Sequence, residues 1–474
     1  MSPWPRTAPT AAERAAYADA EPRPFWLADL APPETSATLI GSAEADLCIV
    51  GGGFTGLWAA LHAKRDDPAR DVVVLESETC GFGASGRNGG FALCSLTHGL
   101  ENGLARFPDE AVELERLGRE NFDGLIGDVE RLGIDCELEQ TGDVLALLHA
   151  SQRDELEESA ALYRRFGHDV TVLDESAMQR EVASPVYRGG LWDHTGSALV
   201  HPGKLALGLR TAALAAGVRL YEHSAASDLR ERGDGIELTT AQGRVRARRA
   251  ILATSAFPPL VRALRHYVAP VYDYALITEP LTPAQRAAIG WQRRQGIGDA
   301  ANQFHYTRLT ADDRILFGGF DAIYRMGGPV SPRLDDHDAT FARLSQHFFT
   351  TFPQLAGLRF THRWGGAIDT CSRFCVFFGS SQHGRVSYAT GYTGLGVVST
   401  RFGARVALDL VDGRPSAATR LRFVQQKPVP YPPEPLRTLG IRLTVNRLAA
   451  ADRNGGRRGL WLQTLDRLGL GFDS

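Results

Sequence analysis

The sequence is short of lysine and cysteine and has no long apolar run. Only Lys64, Lys204 and Lys427 are lysines among 52 Lys and Arg residues. Against 55 acidic residues the formal net charge is −3, which argues against nucleic acid or an anionic membrane as the main partner. The six cysteines, Cys48, Cys80, Cys94, Cys136, Cys371 and Cys375, are scattered through mostly apolar segments. Such a scatter speaks against a disulfide scaffold, and Cys371 with Cys375 lacks the second Cys/His pair of a zinc site, so no metal is expected. No stretch of ~18 apolar residues occurs, and "MSPWPRTAPTAAERAAYADA" has no apolar signal core. The expectation is a reduced, cytoplasmic protein without a membrane partner. Neither a Ser/His/Asp set nor an HExxH motif points to hydrolytic chemistry.

What is present is a globular composition, 43% apolar and 23% charged with mean hydropathy −0.18. At 474 residues the chain exceeds one ordinary core, so two domains plus extensions are expected. Residues 1–43 read as an extended arm anchored by "PFWLADL". "ADLCIVGGGFTGLWAALHAKRDDPARDVVVLES" reads as strand, glycine turn, helix, strand, a βαβ unit that implies a parallel sheet. Residues 267–365 are rich in strand-like runs such as "YDYALITEP" and "RILFGGF" and suggest a second, mostly antiparallel domain. Glycine-rich and helical sequence returns at 388–413, and 414–474 form a Pro- and Arg-rich extension. The fold class expected is α/β with an α+β second domain.

Gly51, Gly53 and Gly56 form G-x-G-x-x-G at the strand–helix turn, with Phe54 and Thr55 opening the helix. The first glycine permits the turn, the second admits a pyrophosphate, and the third lets helix and sheet approach. The helix N-terminus offers N–H groups and partial positive charge to phosphate. Glu76 ends the next strand, where a carboxylate accepts bonds from ribose hydroxyls and repels a 2′-phosphate. NAD and FAD both satisfy this fingerprint. Seven residues on, "GASGRNGGF" is almost bare backbone, which suits a longer dinucleotide passing beside it. Ser85 and Asn88 can bond phosphate or ring edges, and Arg87 is either a pyrophosphate partner or a solvated loop charge. "GYTGLGVVSTRFGARVAL" places Gly391, Gly394 and Gly396 before a helix starting near Val397, where backbone donors suit negative charge on a reduced flavin.

Together "ADLCIVGGGFTGLWAA", "VVVLES", "GASGRNGGF", "VHPGKLALGL", "RARRAILATSAF", "ILFGG", "RWGGAIDT" and "GYTGLGVVSTRFGARVAL" resemble the D-amino acid oxidase-like family of FAD amine oxidoreductases, nearest the gamma-glutamylputrescine oxidoreductase-like branch. The tail "PPEPLR…NRLAAADRNGG…LDRLGLGFDS" is similar to the same branch. The resemblance implies a Rossmann-like FAD domain built from 44–135, 186–266 and 366–413. It also implies a substrate domain from 136–185 and 267–365. Gly51, Gly53, Gly56 and Glu76 then take the ADP half, with Ala253 and Thr254 nearby. Ala84, Ser85, Arg87, Asn88, Gly89 and Gly90 line flavin and pyrophosphate, and Gly394, Leu395 and Gly396 cap the pyrimidine. Sarcosine oxidase-like members attach flavin to a cysteine where this chain has "RWGGA", so non-covalent FAD is expected. Those members also place a lysine over the flavin for oxygen, and no lysine falls in or near "RILFGGF".

The chemistry implied is hydride transfer from the carbon beside an unprotonated amine to flavin N5, giving an imine that hydrolyses. The expected acceptor is O2, reduced to H2O2. The alternatives are a dehydrogenase using another acceptor, or a non-catalytic flavin-bearing subunit of a larger complex. Candidate pocket residues are His305, Tyr272 and Trp364 for catalysis, and Tyr274, Tyr306, Arg308 and Tyr392 for the substrate. Aromatic side chains could sandwich an amine, and His305 or Arg308 could hold an acidic group. In strands the same aromatic residues equally read as core.

Overall fold

The computed structural model describes residues 3–31 and 34–470; residues 1–2 and 32–33 of the arm and 471–474 of the tail motif lie outside the described residues. The first sheet has eight strands. Five run parallel: Arg219–Tyr221, Val72–Leu75, Gly41–Val50, Gly243–Leu252 and Val386–Thr390. The other three, Phe377–Ser381 and the hairpin Asp228–Arg232/Gly235–Thr239, pair antiparallel at its side. Leu47–Val50, Val72–Leu75 and Ala250–Leu252 are buried on both faces where these strands lie side by side, which explains their apolar runs. Leu47, Ile49, Val72, Val74 and Ile251 pack against helices Phe54–Asp66, Pro202–Ala215 and Ser399–Asp412. Cys48, Val50, Val73, Leu75, Ala250 and Leu252 join the hairpin and the 260–268 segment on the other face.

The second sheet has nine strands, and its longest pair, Ala269–Thr278 with Phe360–Thr370, is antiparallel with Asp273 opposite Gly366. Helix Asp338–Thr351 covers its outer face, where Phe341, Leu344 and Phe348 meet Tyr272, Tyr274 and Leu276. Strand Gly190–Asp193 and residues 366–370 belong to this sheet. They fall outside the spans 136–185 and 267–365 expected for the substrate domain. A short isolated strand at 190–193 carries no signal of which sheet it will join.

The arm departs from the extended anchor expected of it. It forms two short helices, Ala11–Ala15 and Phe25–Ala28. Trp4 and Tyr17 enter the outer core of the second sheet, and Trp26 is fully buried with Phe25 and Trp364 on the inner face. Large aromatic side chains bury the most apolar area per residue, so three or four of them dock a segment of little internal structure.

One ion cluster joins the domains. His168 Nδ1–H donates to Asp193 at 2.7 Å on the second sheet, and Nε2–H donates to Glu115 at 3.2 Å on helix Ala111–Arg131. Burial alone would lower the His168 pKa; the hydrogen bonds to both carboxylates outweigh it and raise the value to about 9. A free histidine titrates near ~6.5, so this stabilisation is complete below that pH and is lost as pH rises through about 9. Denaturant titrations should show stability falling by ~3 kcal/mol between those limits, and His168→Gln should flatten that part of the profile. An unchanged profile in the variant would mean that the cluster is not charged.

Candidate functional site

At the end of strand Gly41–Val50 the chain turns with Gly51 at φ 113°, a conformation open to glycine and costly for other residues. A Cβ at Gly51 would collide with the Ala253 carbonyl, and one at Gly56 with the Gly51 carbonyl. Gly53 caps helix Phe54–Asp66 without a side-chain bond of its own, and the Phe54 N–H donates to Ser85 Oγ at 2.9 Å. Glu76 accepts from Gly52 N–H at 2.6 Å, which closes the turn against the second strand.

These elements open into one cleft of about 910 Å³ reached by both sheets. Gly51, Gly53, Phe54, Thr55 and Glu76 line one end, with Ala253 and Thr254 beside them. From "GASGRNGGF", Ala84, Ser85, Arg87, Asn88 and Gly89 line it, and Gly394, Leu395 and Gly396 line it from the second cluster. Gly56, Gly90 and Gly391 do not; they support the cradle from behind. The helix after the second cluster starts at Ser399, two residues beyond the expected point.

The glycines of "GASGRNGGF" serve the protein's own packing as well as an open cleft. A Cβ at Gly89 would sit 2.9 Å from the Tyr306 ring, one at Gly86 2.8 Å from Leu27, and one at Gly90 too close to the Val200 carbonyl. Asn88 staples its own turn, donating to the Ala84 and Ser85 carbonyls and accepting from Gly90 N–H. Arg87 is neither a free phosphate partner nor a solvated charge. It pairs with Asp335 at 2.5 Å and donates to the Phe82 carbonyl at 2.7 Å.

The pleat of the second sheet sorts the substrate candidates. Opposed residues share a face, so Asp273, Ala275, Trp364, Gly366, Gly318 and Tyr306 point together toward the first domain. Tyr272, Tyr274 and His305 point the other way. Although Tyr272 and Tyr274 border the cleft, their hydroxyls donate to the Ser331 and Leu334 carbonyls and their rings lie in the outer core. His305 does not line the cleft; its nitrogens meet Asp299 at 2.8 Å and His347 at 2.9 Å. Arg308 also lies outside it, buried, with its guanidinium on the Gly90 and Val200 carbonyls. Tyr392 accepts from Thr55 Oγ1 at 3.0 Å and packs against Gly403 in the first core. Trp364 lines the cleft, but its Nε1–H is spent on the Arg87 carbonyl at 2.9 Å, which fixes the glycine-rich turn.

The residue that the sequence reading missed is Asp273. It lines the cleft, and the Tyr306 hydroxyl donates to its Oδ2 at 2.7 Å. Burial pushes its carboxyl up to about 6, partly offset by the Tyr306 bond and by backbone N–H groups. Gly366 stands opposite it without a side chain, and Gly318 leaves the room that the Tyr306 ring occupies. The signal was there: "VYDYALIT" puts Val271, Asp273 and Ala275 on one side, and an acid amid apolar residues in a strand is rarely idle. His98 was also missed; it borders the cleft with φ 63°, and burial lowers it to about 4, so it is neutral at pH 7.

A glycine turn at a helix N-terminus, a carboxylate closing the next strand, and a second sheet roofing the cleft form a dinucleotide site beside a reaction chamber. Residues 46–410 match the family described as FAD dependent oxidoreductase. The chain belongs to that family. FAD is its cofactor, and the bare turn, with Gly51 and Gly53 on the cleft and Gly53 at the start of helix Phe54–Asp66, fits a pyrophosphate. The chain is 33% identical to gamma-glutamylputrescine oxidoreductase of Escherichia coli over 384 residues, 79% of this chain and 85% of the relative. It is 30% identical to the probable oxidoreductase OrdL of Haemophilus influenzae over 378 residues, covering 78% and 83%. Among solved structures, glycine oxidase from Geobacillus kaustophilus superposes with TM-score 0.67 at 21% identity, covering 82% of this chain and all of that one. As members of this family do, the chain carries out FAD-dependent oxidoreduction. Among the described residues no helix is long and apolar enough to cross a membrane.

Proposed function

We propose that this enzyme oxidises the C–N bond of a small amine or amino acid, with Asp273 receiving the substrate's ammonium group. Bound FAD supplies the hydride acceptor. The observation that carries the reading is a carboxylate, held by Tyr306, on the one sheet face that looks across the cleft at the glycine turns. Tyr306 and the backbone N–H groups of Tyr274 and Gly319 hold the carboxylate in the cleft wall. A carboxyl raised to about 6 is ionised at neutral pH, so it attracts a cation. It sits in a low-dielectric wall, where such a pair is stronger than in water. The amine must lose a proton before hydride can leave, because an ammonium has no lone pair to share with the developing iminium. Asp273 binds the charged form and then lies within reach of that proton. The relatives gamma-glutamylputrescine oxidoreductase and glycine oxidase support an amine or amino acid as substrate.

Among the described residues no cysteine and no lysine lines the cleft, which supports non-covalent FAD and favours an acceptor other than O2. One set of measurements tests the reading. Anaerobic mixing with primary and secondary amines should bleach the flavin, acid precipitation should leave the flavin in the supernatant, and a dye should reoxidise it faster than dissolved oxygen. Flavin that no amine bleaches would remove the proposal and favour a flavin-bearing subunit without turnover.

A further inference from the structure

The family match ends at residue 410, yet the cleft does not. The segment beyond it contributes Ile441, Thr444, Val445, Leu448, Trp461 and Leu465 to the lining, from helices Leu436–Arg453 and Leu460–Arg467. Both ends of the longer helix are tied to loops of the second sheet. At the start, Glu434 accepts from the Tyr324 hydroxyl at 2.6 Å and from Gly327 N–H at 3.1 Å. At the end, the Asp452 carboxylate accepts from Asn302 N–H at 2.9 Å, from its side-chain amide at 2.7 Å, and from Gln303 N–H at 2.9 Å. These loops flank the turn through Asp321, the carboxylate whose charge helps to raise Asp273. The helix therefore spans the cleft beside the ammonium site.

The wall it presents is apolar. Thr444 is polar, and the Trp461 Nε1–H already donates to its Oγ1 at 3.1 Å. Among the described residues, no acidic residue of this segment lines the cleft. Its one cation there, Arg437, lies at the start of the helix, where Nε donates to the Pro432 carbonyl at 3.3 Å and the guanidinium stacks over Tyr431. From this placement we infer that residues 429–470 form the distal wall of the substrate site and select amines whose substituent is apolar, an alkyl or aryl group of several carbons. A charged tail laid against Ile441, Val445 and Leu448 would lose its hydration without gaining a partner. An apolar tail gains by being removed from water.

This inference rests on the amine-oxidation reading, and its test separates the two. Hexylamine, benzylamine and 4-aminobutanoate are compared as reductants of the FAD-loaded protein, and their binding is measured calorimetrically under anaerobic conditions. The two apolar amines should bind at least about tenfold more tightly than 4-aminobutanoate, the discrimination that a few buried carbons give. Val445→Arg should reverse that order, raising the apparent KM for hexylamine about tenfold more than it lowers kcat. Ile441→Ala, a milder change, should weaken hexylamine severalfold and leave the weaker 4-aminobutanoate little altered; it guards against a Val445→Arg protein that does not fold, which flavin content and melting would reveal. Amines that bleach the flavin without preference for the tail, in wild type and both variants alike, would overturn this inference and leave the function standing. Bleaching by no amine would overturn both.

Discussion

Replacing Asp273 by asparagine is expected to lower kcat/KM for the best amine by roughly 10- to 100-fold, the worth of a lost charge-assisted hydrogen bond. Asparagine keeps the shape and still accepts from Tyr306, so the second sheet should stay intact and flavin content should not change. The pH profile gives the sharper readout. Asp273 titrates near pH 6 because burial disfavours its charged form, so it is ionised above that value and neutral below it. At subsaturating amine, flavin reduction in the wild type should therefore rise as pH increases through about 6. In Asp273→Asn that limb should vanish, and any rise at higher pH, from deprotonation of the amine itself, should remain. Tyr306→Phe removes one stabilising bond to the carboxylate and should move the limb upward in pH. Stopped-flow reduction across pH on the three proteins measures this, and an unaltered acid limb in Asp273→Asn would assign it to another group.

The second large effect concerns the cofactor. Gly53→Val puts branched carbons where even a Cβ would lie 2.9 Å from Ser85 Oγ, at the cap of the helix that faces the cleft. The fold can absorb a small shift of Ser85, but a pyrophosphate cannot share the space with an isopropyl group. The purified variant should emerge colourless, with absorbance in the flavin bands reduced at least about tenfold. Its far-ultraviolet circular dichroism should match the wild type. A fully yellow Gly53→Val protein would mean that the phosphates lie elsewhere.

The first domain could be read from the sequence because its demands are local. A positive φ at Gly51, the carbonyl behind Gly56 and the terminal carboxylate of Glu76 all lie within one βαβ unit, and each restricts residue type strongly. The second sheet could not be read to the same depth. Tyr272, Tyr274 and His305 look like pocket residues, yet a two-residue period decides which face they take, and that face is fixed by strands distant in sequence. The same period, followed through "VYDYALIT", singles out Asp273. The partners of Arg87 and Arg308 could not be read for a related reason: Asp335 and the Gly90 and Val200 carbonyls lie far along the chain. The arm and the tail have weak internal patterns because what they pack against is elsewhere.

The arm has one more consequence. Strand Phe360–Thr370 pairs on only one side within its sheet, with Ala269–Thr278, and its other side would offer a row of unpaired backbone groups. Glu21 occupies part of that row: its N–H donates to the Thr361 carbonyl at 2.9 Å, and its carbonyl accepts from Arg363 N–H at 2.9 Å. An open edge of this kind is a template on which a second molecule can add a strand. Glu21 fills part of it from the same chain, so fewer backbone groups of the sheet that carries Asp273 are left for a second strand to pair with.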